Sequence, residues 1–366
     1  MRGGVVVQKN QILSLLPPRQ PKRLPPLLNK EGSFIVYHAK HMTTFEHPTG
    51  TVTVTDLDTG HRSIEVKLRD GRTFSPRLEC ETAYPDELIQ LIIDIKEPAW
   101  LCDEIARDEE RIYVQAHLET EMRAFFDFGT LRGKRILDFG CGSGASTMCL
   151  ARLFPDSEII GVELESSLLQ IAEARRAHYS FENVTLLQSP SGTTLPDEIG
   201  RFDLVVLSAV YEHLLPEERG DILRQVWSLL NNGGVLFLNQ TPLRYFPLEL
   251  HTTGLPFINY LPDGLTFWTA RKFSRRVNKS DTWESLLRAG IRGATIREIR
   301  GHLGTNAVLL PPTMSGMLDR VDLWFAMTNM HNLRTAKLAA RVVLKSINAL
   351  TGVAIVPELS LAFRKE

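Results

Sequence analysis

The chain predicts an α/β fold, a doubly wound and mostly parallel sheet, and three observations carry that prediction. Between Leu131 and Gln240, short apolar strands alternate with helical segments. One of those strands, Phe202 to Ser208, is apolar at nearly every position, as a strand covered on both faces must be. The first strand runs into Gly140, Gly142 and Gly144, and glycines this dense just after a strand mark a close-contact turn into a helix. Such βα repetition places ligands at the carboxyl ends of the strands.

Length and composition set the outer bounds. The 366 residues suffice for two domains, or for one domain with large insertions. A composition of 43% hydrophobic and 23% charged residues is that of an ordinary globular protein. The formal net charge of -1 gives no global field that would recruit nucleic acid, and no nucleic-acid partner is expected. Cys80, Cys102, Cys141 and Cys149 show no paired metal spacing, no signal peptide is apparent, and reduced thiols in a cytoplasm are expected. No apolar run reaches the length of about 18 residues that a membrane-spanning helix needs.

In chain order, residues 1–32 form a basic, proline-rich leader, expected as a tail. Residues 33–130 read as a small β unit followed by helices. Val52, Val54 and Leu57, then Ile64, Val66 and Leu68, alternate with polar residues, and Asp58-Thr59-Gly60 and Asp70-Gly71 are turn signals. This N-terminal β-hairpin and helical appendage suits a structural or oligomer role, with a homodimer as one form. Helices are expected after Pro85 and over about Asp103 to Phe126, where Tyr113 is a candidate cofactor contact.

Residues 131–366 hold the core. Strands are read at Arg135–Asp138, Glu158–Glu163, Asn183–Leu187, Phe202–Ser208 and Val235–Asn239. Helices are read at Ala145–Phe154, Ser166–His178 and Glu217–Leu230, the last capped by Asn231-Asn232-Gly233-Gly234. The turn after the first strand has N–H groups available to a ligand. Gly140, Gly142 and Ala145 also satisfy the pattern of dinucleotide-binding turns. Asp138 discriminates, because a carboxylate closing the strand repels a pyrophosphate and suits an ammonium group or hydrogen-bond donors.

With RILDFGCGSGAST (135–147), the chain resembles the class I S-adenosylmethionine-dependent methyltransferases, whose first motif carries an acidic residue and then G-x-G-x-G. FDLVVLSAVYEHL (202–214) resembles the fourth strand and turn of the small-molecule and lipid-precursor members. NNGGVLFLNQTP, WESLLRAGIRGATIRE with a capping start at Asp281 and Glu284, and PELSLAFRKE resemble the fifth strand, the helix with the sixth strand, and the antiparallel last strand. The resemblance implies a seven-stranded Rossmann-like sheet and S-adenosyl-L-methionine as cofactor. It assigns cofactor contacts to Asp138, Gly140, Cys141, Gly142, Gly144, Glu163, Leu164, Ser208 and Ala209. After the third strand the family's usual acidic residue is missing, and Ser191 and Gly192 stand near its place.

The remainder is insertion, at about 241–279 and 301–357, where acceptor identity should reside. The first leaves the fifth strand and carries Tyr245, Phe257, Tyr260, Glu249 and His251. Together with Tyr211, those aromatics are the candidate acceptor wall. His251, with Glu249 beside it, is the preferred general base, and His213 the second candidate. No ligand cluster suggests a metal. The second insertion contains a helix over 332–350 whose Arg334, Lys337, Arg341 and Lys345 form a cationic stripe opposite Leu338, Val342, Ile347 and Leu350; a solvated stripe is expected, with membrane contact as a side hypothesis. The function expected is methyl transfer to a small-molecule, sugar- or lipid-linked acceptor, O-methylation preferred. The alternatives are an NAD- or nucleotide-binding oxidoreductase and a noncatalytic scaffold of the same fold.

Overall fold

A computed structural model describes residues 41–69, 77–197, 199–328, 334–353 and 355–366. The proline-rich leader, residues 33–40 of the expected β unit and the Asp70-Gly71 turn lie outside the described residues, as do residues 332 and 333 of the expected basic helix.

The N-terminal unit is an antiparallel sheet of β1 (Met42–His47), β2 (Gly50–Asp56), β3 (Arg62–Leu68) and β4 (Glu79–Thr82), paired in that order. Alternation sends Val52, Val54, Ile64 and Val66 to one face, where they pack on α1 (Asp86–Lys96) and α2 (Pro98–Glu109). Ile171 from the core joins the same cluster, so the unit is seated on the larger sheet's flank. The single helix expected over Asp103 to Phe126 is instead α2 followed by α3 (Val114–Arg123). The break falls at Glu110, whose backbone is extended with ψ 104°.

The core is a seven-stranded sheet. Its parallel part comprises β5 (Arg135–Phe139), β6 (Glu158–Glu163), β7 (Val184–Gln188), β8 (Phe202–Ser208) and β9 (Leu230–Pro242). With β10 (Ala307–Leu309) and β11 (Glu358–Lys365), the order is β10-β11-β9-β8-β5-β6-β7. β11 lies antiparallel between β9 and β10, as expected for the last strand. The apolar run of β8 is explained by period two: Val205 and Leu207 enter one core and Leu204 and Val206 the other, on opposite faces of the sheet. The crossover helices are α4 (Ala145–Leu153), α5 (Ser166–Tyr179) and α6 (Pro216–Ser228).

Three local expectations are corrected. Residues 231–234 do not cap α6 but begin β9, with Gly233 at φ 79° and Asn231 donating to Asp203 Oδ1 at 3.1 Å. The segment expected as the sixth strand instead enters α9 (Ile296–Leu303), because the Thr295 side chain accepts from Glu298 N and Ile299 and Leu303 fall on one buried face. The sixth strand is β10. Ahead of it, α8 (Trp283–Arg288) is capped by Thr282, not Asp281. The insertions supply α7 (Asp263–Phe273), α10 (Arg320–Met327) and α11 (Arg334–Thr351).

Candidate active site

The order reverses at β5, which lies between β6 and β8, so a crevice opens over its carboxyl end. A cleft of about 550 Å3, counting its open mouth, lies there. Gly140, Cys141, Gly142, Ser143, Ala145 and Ser146 form one wall, Ser208, Ala209 and Gln240 the opposite one, and Lys96, Glu104, Arg107, Val114 and Leu168 the rest. Two other hollows lie elsewhere, one beside Phe128 and Arg132 and one beside Lys134 and Gly233, and neither contains an expected site residue.

The glycine turn is braced from within. Gly140, Gly142 and Gly144 all have positive φ, at 70°, 58° and 88°. Gly140 N and Cys141 N donate to Val162 O at 2.8 and 3.0 Å, and Gly142 N donates to Glu163 Oε2 at 2.7 Å. The N–H groups expected to await a ligand are therefore largely engaged by the end of β6. Asp138, buried under the turn, accepts from Ser146 Oγ and Thr147 Oγ1, both at 2.7 Å. Two buried carboxylates, Asp138 and Glu163, thus flank the turn and oppose a pyrophosphate. Glu163 Oε1 also accepts from Leu164 N and Glu165 N, so this carboxylate holds the loops at both strand ends.

Behind the glycine turn lies a cationic and acidic set that the sequence reading missed, of which Lys96, Glu104 and Arg107 reach the cleft. Arg175 of α5 is fully buried and donates to Ser143 O and Oγ, to the Glu104 carbonyl and carboxylate, and to Tyr84 Oη. Ser143 Oγ donates to Glu104 Oε2 at 2.6 Å, tying the glycine turn to α2. Burial works to raise the Glu104 pKa, but Lys96, Arg175 and Arg107 outweigh it and bring it down to about 2. Arg175 sits at helical spacing with Leu168 and Ala172, which was its one sequence signal.

Of the expected cofactor residues, Gly140, Cys141, Gly142, Ser208 and Ala209 line the cleft, Asp138, Gly144 and Glu163 are buried behind that lining, and Leu164, Ser191 and Gly192 stand apart from it. Leu164 and Ser191 are exposed, and a Cβ on Gly192 would lie 3.9 Å from Leu164, so they form a shared outer rim. Tyr113 does not line the cleft; its hydroxyl donates to Asp103 Oδ1 at 3.1 Å, and its neighbour Val114 lines the cleft instead.

The acceptor candidates divide. Tyr211 is fully buried in the core beneath α6, its hydroxyl on Glu298 Oε1 at 3.1 Å and its ring under Arg219, so it walls no pocket. Tyr245, Phe257 and Tyr260 do gather, with Tyr260 5.8 Å from Tyr245 and 6.2 Å from Phe257 between ring centroids, but on the open surface. Glu249 spends both oxygens on its own turn, accepting from Thr252 N, Thr253 N and Thr253 Oγ1, which removes it as a partner for His251. Burial raises its pKa against those hydrogen bonds.

His213 and His251 do come together, with ring centroids 5.6 Å apart and Glu212 beside them. Glu212 and His213 end the short 3-10 turn after β8, and His251 lies in the loop after β9. Gln240 lines the cleft and the next residue, Thr241, bonds Glu212 at 3.3 Å, so the cluster lies behind that wall. Burial, then the nearby His213 and Arg276, push the His251 pKa well below the usual histidine value, and its ring is neutral at pH 7.

Residues 137–236 match a family model described as a methyltransferase domain. An uncharacterized protein of Rickettsia prowazekii is 31% identical over 113 residues, 31% of this chain and 45% of that protein. A ubiquinone biosynthesis O-methyltransferase of Acinetobacter baylyi is 27% identical over 120 residues, 32% of this chain and 49% of the other. Among solved structures, PKMT2 of Rickettsia typhi is similar with a TM-score of 0.42 and 18% identity, covering 70% of this chain and 53% of that one. The chain spans about half the length of the curated relatives it matches.

Proposed function

On the premise that residues 137–236 form a methyltransferase domain of the class I, S-adenosylmethionine-dependent kind, we propose that the chain transfers a methyl group to a small-molecule, sugar- or lipid-linked acceptor, with a hydroxyl preferred. The observation that carries this is the glycine turn flanked by buried Asp138 and Glu163 at the reversal of strand order. A cleft whose glycine turn is backed by two buried carboxylates, with Lys96, Glu104 and Arg107 on another wall, suits a zwitterionic amino-acid moiety better than a dinucleotide. The cofactor supplies a methyl group on a sulfonium. Gly140, Cys141, Gly142, Ser208, Ala209 and Gln240 would hold it, with Glu163 toward its ribose and Leu164, Ser191 and Gly192 toward its adenine.

The reaction is an in-line displacement, so the chain's main contribution is to hold the acceptor oxygen against the methyl carbon and exclude water. When bound, the cofactor would give up its methyl group to the acceptor oxygen and leave as the thioether, so what falls to the chain is loss of the acceptor's proton. The neutral imidazole of His251, with His213 beside it, is placed near the cleft wall to receive it. The preference for oxygen is supported by the name of the Acinetobacter relative and by this imidazole pair. The exposed Tyr245–Phe257–Tyr260 cluster then serves as a landing surface for an apolar portion of the acceptor.

Calorimetric titration with S-adenosylhomocysteine and, separately, NAD tests the reading. The wild type should bind the first and not the second, and Gly142→Arg should lose binding while keeping its far-ultraviolet spectrum. Wild-type protein that leaves millimolar S-adenosylhomocysteine unbound would overturn the proposal.

A further inference from the structure

Glu212, His213 and His251 bring one ligand atom each within 4.8 Å of the others, and all three residues are buried. No spacing in the sequence announces this cluster, because the loop after β9 has to fold back to complete it. The expectation of no metal-ligand cluster therefore does not hold for the folded chain.

The chemistry of each donor is fixed by its surroundings. His213 Nδ1 lies 2.6 Å from the Arg288 carbonyl oxygen, which only accepts, so Nδ1 carries hydrogen and a neutral ring keeps its lone pair on Nε2. That Nε2 faces Glu212 Oε1 at 3.6 Å. Thr241 Oγ1 donates to the other oxygen, Oε2, at 3.3 Å, which orients the carboxylate. His251 is 4% exposed, and neither of its ring nitrogens has a hydrogen-bond partner among the described residues. Its position is specified by Gly290, at φ 89°, where a Cβ would come 2.8 Å from the His251 ring and 3.3 Å from Glu212 Cγ. Arg276, the cation acting on His251, is tied to the Leu250 carbonyl at 2.7 Å.

An imidazole lone pair, a carboxylate oxygen and a second, unpartnered imidazole converge in a space with little water. Converging acceptors repel unless a cation lies between them. We propose that Glu212, His213 and His251 bind one divalent first-row transition cation, with remaining positions open to solvent or to an acceptor oxygen. Two imidazoles and one carboxylate are a donor set for Zn2+ or Fe2+ rather than for the all-oxygen coordination of Ca2+. The outer contacts are those expected around such a site: a carbonyl on the far nitrogen of His213 and a hydroxyl on the far oxygen of Glu212. The rival occupant is a proton on His213, making a plain ion pair with Glu212. Only the ion's role rests on the methyl-transfer reading: beside the cleft wall, it would hold the acceptor oxygen and lower its pKa, replacing the two imidazoles, whose lone pairs it takes, as the means of easing proton loss.

The 366-residue chain, stripped with a chelator, is titrated with Zn2+ by calorimetry and with Co2+ by visible absorption. One equivalent should bind, the bound Co2+ should show the intense absorption of a four- or five-coordinate ion, and affinity should fall by about 100-fold or more in His251→Ala and in Glu212→Gln. X-ray absorption of the Zn2+-loaded wild type should show two imidazoles in the first shell, a readout that holds even where a variant fails to fold. Absence of stoichiometric Zn2+ binding, affinity unchanged in a folded His251→Ala, or a first shell without two imidazoles would each refute the site. S-adenosylhomocysteine titrated into the same stripped protein separates the two readings, since its binding tests the cofactor cleft alone.

Discussion

Replacing Arg175 with methionine tests whether the buried network behind the glycine turn holds the cleft together. The guanidinium is fully buried, 3.3 Å from Glu104 Oε2 and 3.6 Å from Asp108 Oδ2, and bonds both the carbonyl and hydroxyl of Ser143. Methionine fills similar space but leaves two buried carboxylates and two carbonyls without it. Removing one member of a buried pair costs about 3–5 kcal/mol. Asp108 retains Arg152 at 2.9 Å and Glu104 retains Lys96 at 3.7 Å, so the lower end, about 3 kcal/mol, is expected. Glu104 gives an independent check. Its carboxyl ionises at about 2 in the folded protein against an ordinary 4.5, a difference that corresponds to roughly 3 kcal/mol shared among all its cations and Ser143. Since the folded value is the lower one, this stability is complete above pH 4.5 and fades as the pH falls toward 2. Urea unfolding at pH 7 should therefore show the variant's midpoint about 1 M lower, at a slope of about 3 kcal/mol per molar. The gap between wild type and variant should narrow as the pH falls below 4.5. Arg175→Lys should not restore it, because a point ammonium cannot reach Ser143, Glu104 and Tyr84 together. A loss under about 1 kcal/mol at pH 7, or a gap unchanged at pH 3, would refute the reasoning.

Three further outcomes follow from the same geometry. Gly144→Ala places a Cβ 2.7 Å from the Ala172 Cβ at φ 88°, and should cost about 2–4 kcal/mol in urea unfolding, from left-handed strain plus overpacking. Glu358→Gln should raise thermal stability above pH 7 and leave it unchanged below pH 4.5. Burial, then Glu121, lift the Glu358 carboxyl to about 7 against the pull of His117, so its protonated form stabilises the fold and that contribution is lost as pH rises from 4.5 through 7. Asp322→Ala removes the acceptor that Arg341 and Lys345 both reach at 2.7 Å, and should speed amide hydrogen exchange across α11 while leaving β5 protected.

What the sequence disclosed and what it withheld divide along physical lines. The boundaries of β6 and β8 and the positive φ of three glycines depend on local pattern and local sterics, so they could be read in advance. The location of His251 beside His213 depends on how a proline- and glycine-containing loop closes, and no local rule carries that. Arg175 is intermediate: periodicity placed it on the inward face of α5, but its partners Tyr84, Glu104 and Asp108 come from the N-terminal unit. Ile296–Leu303 illustrates a competition within one stretch. ATIRE tolerates a strand, and the Thr295 cap decided for helix.

The basic helix shows why periodicity defines two faces without saying which is inside. The stripe on α11 was expected to meet solvent, or an anionic membrane, and the apolar stripe to pack. The structure orients them the other way for several residues. Arg341 and Lys345 turn in to Asp322, Lys337 reaches Thr328 O, and Lys337 and Arg341 lie 4.3 and 4.6 Å from the Phe325 ring centre. Leu338, Val342, Val343 and Leu350 are exposed, while Leu344 packs on the core. The deciding residue, Asp322, belongs to α10 and is itself largely buried, so its charge requires cationic partners wherever α11 docks. Burial opposes ionisation of that carboxyl, yet Lys345 and Arg341 hold its pKa below the ordinary value. One buried carboxylate on a neighbouring helix therefore reverses the orientation that the apolar pattern of α11 alone would select. It also takes Arg341 and Lys345 out of the charge that an anionic membrane would need.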